Sequence, residues 1–224
     1  MSLKDATRGF DERAADRYLR KSDPGLAEWM RRIRLPQRDY AQAFHPVDAL
    51  ARSILYQQLS GKAAATITGR VEMLMLRRGR ITAAGLDAAS DEALRGAGVS
   101  RQKLAALRDL AAKAHAGIVP RHDRLARMSN EAVVEHLTQV RGIGRWTVEM
   151  LLMFRLGRPD ILPVDDLGIR KGTQIVRGLD DLPKARQLAE IGAPWAPWRT
   201  RASLYLWRVV ELAQGDGEVR RSQD

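Results

Sequence analysis

Apolar residues recur along this chain three and four positions apart, and no stretch alternates convincingly, so the pattern predicts helices rather than strands. A helix is expected over 9–20 and a second over 24–33, where Trp29 and Ile33 form an inward stripe, Asp23 caps and Pro24 suits the first turn. Pro36 ends it. Val47, Leu50, Ala51, Ile54 and Leu55 then mark one face of a helix that begins at His45-Pro-Val-Asp48 and runs into Tyr56-Gln-Gln-Leu-Ser60. Ser60 caps the next, 61–77, whose Ala63-Ala64-Ala65 permits close packing. Thr82 and Ser90 cap small helices within 81–98. Ser100 caps a clear one, 101–116, with Leu104, Leu107 and Ala111 inward and Gly117 as its stop. After a linker, 117–128, Ser129 opens a helix bearing Val133, Val134, Leu137 and Val140. Gly142 and Gly144 interrupt it. Trp146, Val148, Met150, Leu151, Leu152 and Phe154 then follow, apolar on almost every side, which predicts a buried helix. Pro163 breaks the chain again, and Asp165 or Asp166 begins the next helix. Helices near 183–191 and 197–213 finish it, with a polar, frayed tail from Gly215. The fold class is all-α, about ten short helices.

The Gly-Ile-Gly turn changes this picture first. Glycine reaches backbone conformations closed to other residues, and the first amides of the following helix lack helical partners, which makes a seat for a phosphate. An ordinary αα-hairpin closed by glycines shows the same pattern. Charge adds modestly to the first reading: 38 Lys and Arg against 27 Asp and Glu give 38 − 27 = +11, which suits a polyanionic partner such as nucleic acid. Cysteine is absent, which excludes disulfides, thiol nucleophiles and cysteine-ligated iron–sulfur clusters. The histidines, 45, 115, 122 and 136, have no metal-binding spacing and read as surface or packing residues. No apolar run approaches the roughly 18 residues that span a bilayer. The start, Met-Ser-Leu-Lys-Asp, lacks a signal-peptide core, so a soluble, cytoplasmic protein is expected.

Two further features carry chemistry. Adjacent Asp165 and Asp166 at a helix start form a cap and dipole partner, but they follow the glycine turn by one helix and one loop, which would bring a carboxylate close to a bound backbone. On the last helix Trp198, Ala202, Tyr205 and Val209 share one face. Trp207 stands about 200° from Tyr205 and points elsewhere, into either a neighbouring helix or a cavity. Leu59, beside Gln57 and Gln58 at a helix junction, reads by itself as a core staple.

Four segments together resemble the helix-hairpin-helix DNA glycosylase superfamily, and within it the alkylation-repair branch of the 3-methyladenine DNA glycosylase II (AlkA) type. They are Ala51-Arg-Ser-Ile-Leu-Tyr-Gln-Gln-Leu-Ser60, Val140-Arg-Gly-Ile-Gly-Arg-Trp-Thr147, Leu162-Pro-Val-Asp-Asp-Leu-Gly-Ile169, and Pro197-Trp-Arg199 with Trp207 downstream. They stand in the family's order over roughly 45–210. The resemblance implies two packed helical subdomains with a cleft between them: 1–44 with 166–224, and 45–165, the latter containing the helix-hairpin-helix at about 129–154.

It also implies roles. Asp166 matches the catalytic aspartate. Trp146, Trp207, Met150 and Leu167 match positions of the base pocket. Gln58 and Leu59 match residues that enter the minor groove and fill the gap left by an extruded nucleotide. Gly142, Ile143, Gly144, Arg145 and Thr147 match the phosphate seat, and carbonyls of Thr138, Val140 and Ile143 match a site for structural Na⁺ or K⁺. No cofactor is required for catalysis, and no iron–sulfur cluster is expected. Trp146 stands where strand-cutting branches carry the lysine that forms a Schiff base, so a monofunctional enzyme is implied. The expected substrate is double-stranded DNA with 3-methyladenine or 7-methylguanine, bound by a monomer in the cytoplasm at the nucleoid.

The chain departs from the type in two ways. It has no room for the N-terminal β-rich domain of the best-known members, and Leu167 and Met150 replace tyrosines of some relatives. A wider pocket would admit 1-methyladenine or etheno adducts. A non-catalytic helix-hairpin-helix DNA-binding module, and a glycosylase for mismatched or oxidised bases, are the alternatives.

Overall fold

The computed structural model describes residues 9–38, 40, 43–75 and 79–221, with side chains to residue 214. Every regular element among the described residues is helical: thirteen α-helices and one 3-10 turn. That is more than the hydrophobic pattern suggests. The 117–128 linker holds the one-turn helix α8 (His122–Leu125), and a 3-10 turn, Ala193–Trp195, precedes the last helix. Pieces this short carry too few residues to show a period.

The chain divides into two compact units, one formed by 42–151 and the other by 1–41 with 152–224. The central unit contains α3 (Pro46–Tyr56), α4 (Gly61–Met73), α5 (Ala83–Ala88), α6 (Asp91–Gly96), α7 (Arg101–His115), α8, α9 (Asn130–Leu137) and the start of α10 (Arg145–Phe154). Its helix starts follow from hydroxyl caps. Ser60, Thr82, Ser90, Ser100 and Ser129 each accept a bond from the amide three residues on. Each such cap contributes about 1 kcal/mol. Helix α7 is the centre of this unit. It buries Ala106, Leu107, Leu110 and Ala111 and packs on α3 and α5.

The terminal unit contains α1 (Glu12–Ser22), α2 (Pro24–Arg32), the end of α10, α11 (Leu167–Arg177), α12 (Ala185–Ile191) and α13 (Arg199–Arg221). Leu19, Leu26, Met30, Ile169, Trp195, Leu206 and Val209 form its core, with α11 laid against α13. Asp23 is the predicted cap of α2 and does more than cap. Fully buried, it accepts bonds from the Leu26 amide (2.9 Å), Trp195 Nε1 (2.5 Å) and Arg177 Nη2 (2.5 Å). A buried carboxylate is tolerable only when paired and bonded in this way.

Several boundaries differ from expectation; α4 ends at Met73, short of the expected 77, and residues 76–77 lie outside the described residues. The stretch 152–165 groups with the terminal helices, not the central ones. The cause is Thr200 at the start of α13: its hydroxyl donates to the Arg158 carbonyl (2.6 Å) and accepts from the Ile161 amide (3.0 Å), and Arg199 holds Asp160 through two bonds. Helix α13 also continues to Arg221, past the point at which the polar composition suggested fraying.

The histidines are packing and surface residues. His115 pairs with Asp87 (2.6 Å), His136 meets the Ala132 carbonyl (2.9 Å), and His122 meets the Phe44 ring edge-on. Among the described residues no group of His, Cys, Asp and Glu could hold a metal ion, and no helix is long and apolar enough to cross a membrane.

Candidate active site

The helix-hairpin-helix forms as the glycines require. After α9, the Val140 amide bonds to the Leu137 carbonyl (3.2 Å) and the Ile143 amide to the Val140 carbonyl (3.0 Å), two tight turns in succession. Gly142 takes φ 79°, a left-handed conformation that strains any residue with a Cβ. Ile143 is buried and pins the turn, while Gly142, Gly144 and Arg145 stay exposed. The first amides of α10 lie beyond the reach of helical carbonyls and face outward at the positive end of the helix dipole. Arg145 adds its charge there and pairs with Glu149 (3.5 Å). Thr147 was expected to help seat a phosphate. It is 9% exposed and lines a pocket with Trp146 and Met150.

What holds the hairpin is not visible in residue spacing. Asp109 on α7 accepts the Arg141 amide (2.7 Å) and pairs with Lys113 (2.8 Å). Burial pushes the Asp109 carboxyl up, but the bonds from Lys113 and Arg141 outweigh it and hold the group below the usual aspartate value.

The junction of α3 and α4 lies in the same unit. Gln58 adopts φ 55°, the one positive φ of a non-glycine among the described residues. Such a conformation costs about 1–3 kcal/mol and tends to persist at functional turns. Leu59 beside it is 40% exposed, so it is no core staple. Gln57 was not singled out from sequence, yet its Nε2 donates to the Gly142 carbonyl (2.8 Å) and ties the junction to the hairpin. Lys103 Nζ donates to the Leu55 carbonyl (2.7 Å) and closes the end of α3. A pocket of about 510 Å³ lies here, and Tyr56, Gln57, Gln58, Trp146 and Met150 line it. Trp146 is 51% exposed, although it opens an otherwise buried helix. The central unit thus brings Gln58, Trp146 and Met150 to one surface.

The terminal unit supplies the carboxylate. Of the acidic pair, Asp166 and not Asp165 caps α11. Its Oδ1 accepts from the Ile169 amide (2.8 Å) and from Trp207 Nε1 (2.8 Å). The side chain is half-buried rather than buried, and Leu167 next to it is 52% exposed. Gly168 makes room for the pair: a Cβ there would fall 2.6 Å from Trp207 Cδ1 and 3.1 Å from Asp166 Oδ1. The Trp207 ring stacks on Phe154, with centroids 5.9 Å apart and planes at 22°. Phe154 read in sequence only as one apolar position of a buried helix. The result is a carboxylate fixed in one orientation beside an aromatic surface. That arrangement can stabilise positive charge developing on a sugar.

Both the sequence and the fold match known proteins. Residues 51–197 match the model of the HhH-GPD superfamily base excision DNA repair protein. The chain is 36% identical over 202 residues to DNA-3-methyladenine glycosylase 1 of Schizosaccharomyces pombe, covering 88% of each chain. Two solved structures are similar. A Schizosaccharomyces pombe 3-methyladenine DNA glycosylase in complex with abasic DNA aligns with a TM-score of 0.76 at 33% identity, over 87% of this chain and 95% of that one. A DNA-3-methyladenine glycosidase from Bacillus halodurans aligns with a TM-score of 0.78 at 35% identity, over 89% and 91%.

Proposed function

The chain belongs to the HhH-GPD superfamily of base excision DNA repair proteins, and on that premise we propose that it is a monofunctional DNA glycosylase for alkylated purines, 3-methyladenine and 7-methylguanine among them. The observation that carries the reading is Asp166, its Oδ1 held by the Ile169 amide and the Trp207 indole. A DNA-binding module would need the hairpin but not that carboxylate. The names of the similar proteins support the lesion class.

The chemistry follows from the residues. Alkylation of a ring nitrogen makes the base cationic. When the C1′–N bond breaks, its electron pair leaves with the base, which departs neutral and needs little general acid. The sugar is left with oxocarbenium character. Asp166 stabilises that cation and orients water to C1′, and an abasic site remains. Trp146 and Trp207 favour a cationic base by roughly 0.5–2 kcal/mol. Leu59 fills the space of the extruded nucleotide, and Gln58 approaches the opposite strand. The amides of Gly142 to Thr147, with Arg145, grip a phosphate. Carbonyls of Thr138, Val140 and Ile143 would hold Na⁺ or K⁺ as a structural brace with no part in the reaction. Trp146 has no amine with which to form a Schiff base, so the strand is left uncut. One monomer acting on one extruded base suffices, and the substrate puts it at the nucleoid in the cytoplasm.

A panel of duplexes, each with a single 3-methyladenine, 7-methylguanine, 1-methyladenine, etheno, mismatched or oxidised base, tests this reading. Alkylpurine release is expected, with strand breaks appearing only after alkali. Release confined to mismatched or oxidised bases, or strand breaks without alkali, would contradict it.

A further inference from the structure

An open cleft of about 540 Å³ lies in the terminal unit beside the catalytic carboxylate, lined by Arg34, Arg38, Phe154, Trp207, Arg208 and Glu211 among others. The Trp207 indole links the two: its N–H is on Asp166, and its ring is part of the cleft wall. Phe154 extends the aromatic surface from Trp207. The Arg38 guanidinium lies over the Phe154 ring, its Cζ 4.9 Å from the centroid. Arg208 pairs with Glu211, so part of the cleft's charge is already answered. A guanidinium laid on a ring face keeps its N–H groups in its own plane, where they can meet an acceptor at the edge of a second planar group.

A purine whose C1′ is beside Asp166 extends away from the carboxylate along the indole. The edge it presents to the cleft is that of the six-membered ring, which carries position 6. Guanine-type and hypoxanthine bases have an oxygen acceptor there, whereas adenine-type bases have an amino donor. We infer that Arg38 is a specificity-determining residue that reads position 6 of the extruded purine, favouring an oxygen over an amino group. The inference rests on the glycosylase reading above. A phosphate ligand would explain the arginines but would have no use for the stacked Phe154–Trp207 surface beneath Arg38. The positive charge of Arg38 opposes any cationic base, so discrimination between two cationic purines comes from the hydrogen bond alone.

DNA treated with a methylating agent contains 3-methyladenine, 3-methylguanine and 7-methylguanine, and the released bases separate by chromatography. The wild-type protein should release 3-methylguanine at least as fast as 3-methyladenine. Arg38 is exposed, so Arg38→Met should keep the fold, which thermal melting verifies. In that variant release of both guanine lesions should drop about tenfold, while 3-methyladenine changes by less than about twofold. Arg38→Lys keeps a donor but not the planar fork, so it should restore release of the guanine lesions only in part and leave 3-methyladenine unchanged. The inference is overturned if all three bases fall together, undamaged duplex binds more weakly and Arg38→Lys restores both: Arg38 would then be a phosphate contact. An unchanged release ratio in Arg38→Met overturns it too. If the wild-type protein releases none of the three, the glycosylase reading itself fails, a result distinct from either.

Discussion

One oxygen of Asp166 serves two purposes. It caps α11 through the Ile169 amide, and it takes the N–H of Trp207 from forty-one residues away. The cap fixes the side-chain rotamer and the indole fixes which face of the carboxylate is presented. Replacing Trp207 with phenylalanine keeps a ring against Phe154 but removes the donor. A hydrogen bond to a charged group is worth about 1.5–3 kcal/mol, and kcat for alkylpurine release should fall roughly ten- to a hundredfold. Single-turnover kinetics measures this; an unchanged kcat would show that Asp166 needs no second donor. At this scale the sequence was readable in part. The aspartate pair and the orientation of Trp207 away from Tyr205 are visible in spacing. The bond between Asp166 and Trp207 is not, because it depends on how α11 and α13 pack, and on the missing Cβ of Gly168.

At the level of elements, the hairpin and the α3–α4 junction are held by three bonds: Gln57 to the Gly142 carbonyl, Lys103 to the Leu55 carbonyl, and the Arg141 amide to Asp109. Two of them involve α7, which therefore sets the spacing between the Gly142–Gly144 turn and Leu59. Gln57→Met preserves length and loses the donor. It should weaken base extrusion about tenfold, a hydrogen bond being worth about 1 kcal/mol or somewhat more. The fluorescence of 2-aminopurine next to the lesion reports extrusion, and affinity for undamaged duplex should hardly change. Loss of both together would mean that Gln57 only supports the fold. Asp109 makes a pH prediction. Its folded-state pKa lies below the unfolded value, so its contribution to stability is complete above the unfolded value of 3.8 and is lost as pH falls through the folded one. Between neutral pH and that acid range Asp109→Asn should lose less stability than the wild type, as denaturant midpoints would show. Helix starts were the most legible elements, since Ser and Thr caps announce themselves locally. The ties from α7 were not legible, because a lysine and an aspartate on a helix surface look the same whether or not a carbonyl or amide comes within reach.

For the whole molecule, a formal charge of +11 spread along the chain predicts salt-sensitive DNA binding, and the structure points to one residue in that sum. Arg145, exposed at the start of α10, should lower the slope of log affinity against log salt by about 0.9 when changed to alanine, with little dependence on the lesion. Charge and composition favour DNA without choosing between enzyme and binding module. The division at 152 is not legible because it falls inside the continuous apolar run of α10, and the bonds that tie 158–161 to Thr200 depend on α13, far along the chain. Single-turnover release of 3-methyladenine by wild type and Asp166→Asn tests whether Asp166 turns a DNA-binding helical protein into a glycosylase. Asparagine still caps a helix, so fold and duplex affinity should persist. Release by the wild type is expected, with a loss of about a hundredfold or more in the variant at unchanged affinity. Release at the wild-type rate from Asp166→Asn, or none from the wild type despite tight binding, would contradict it.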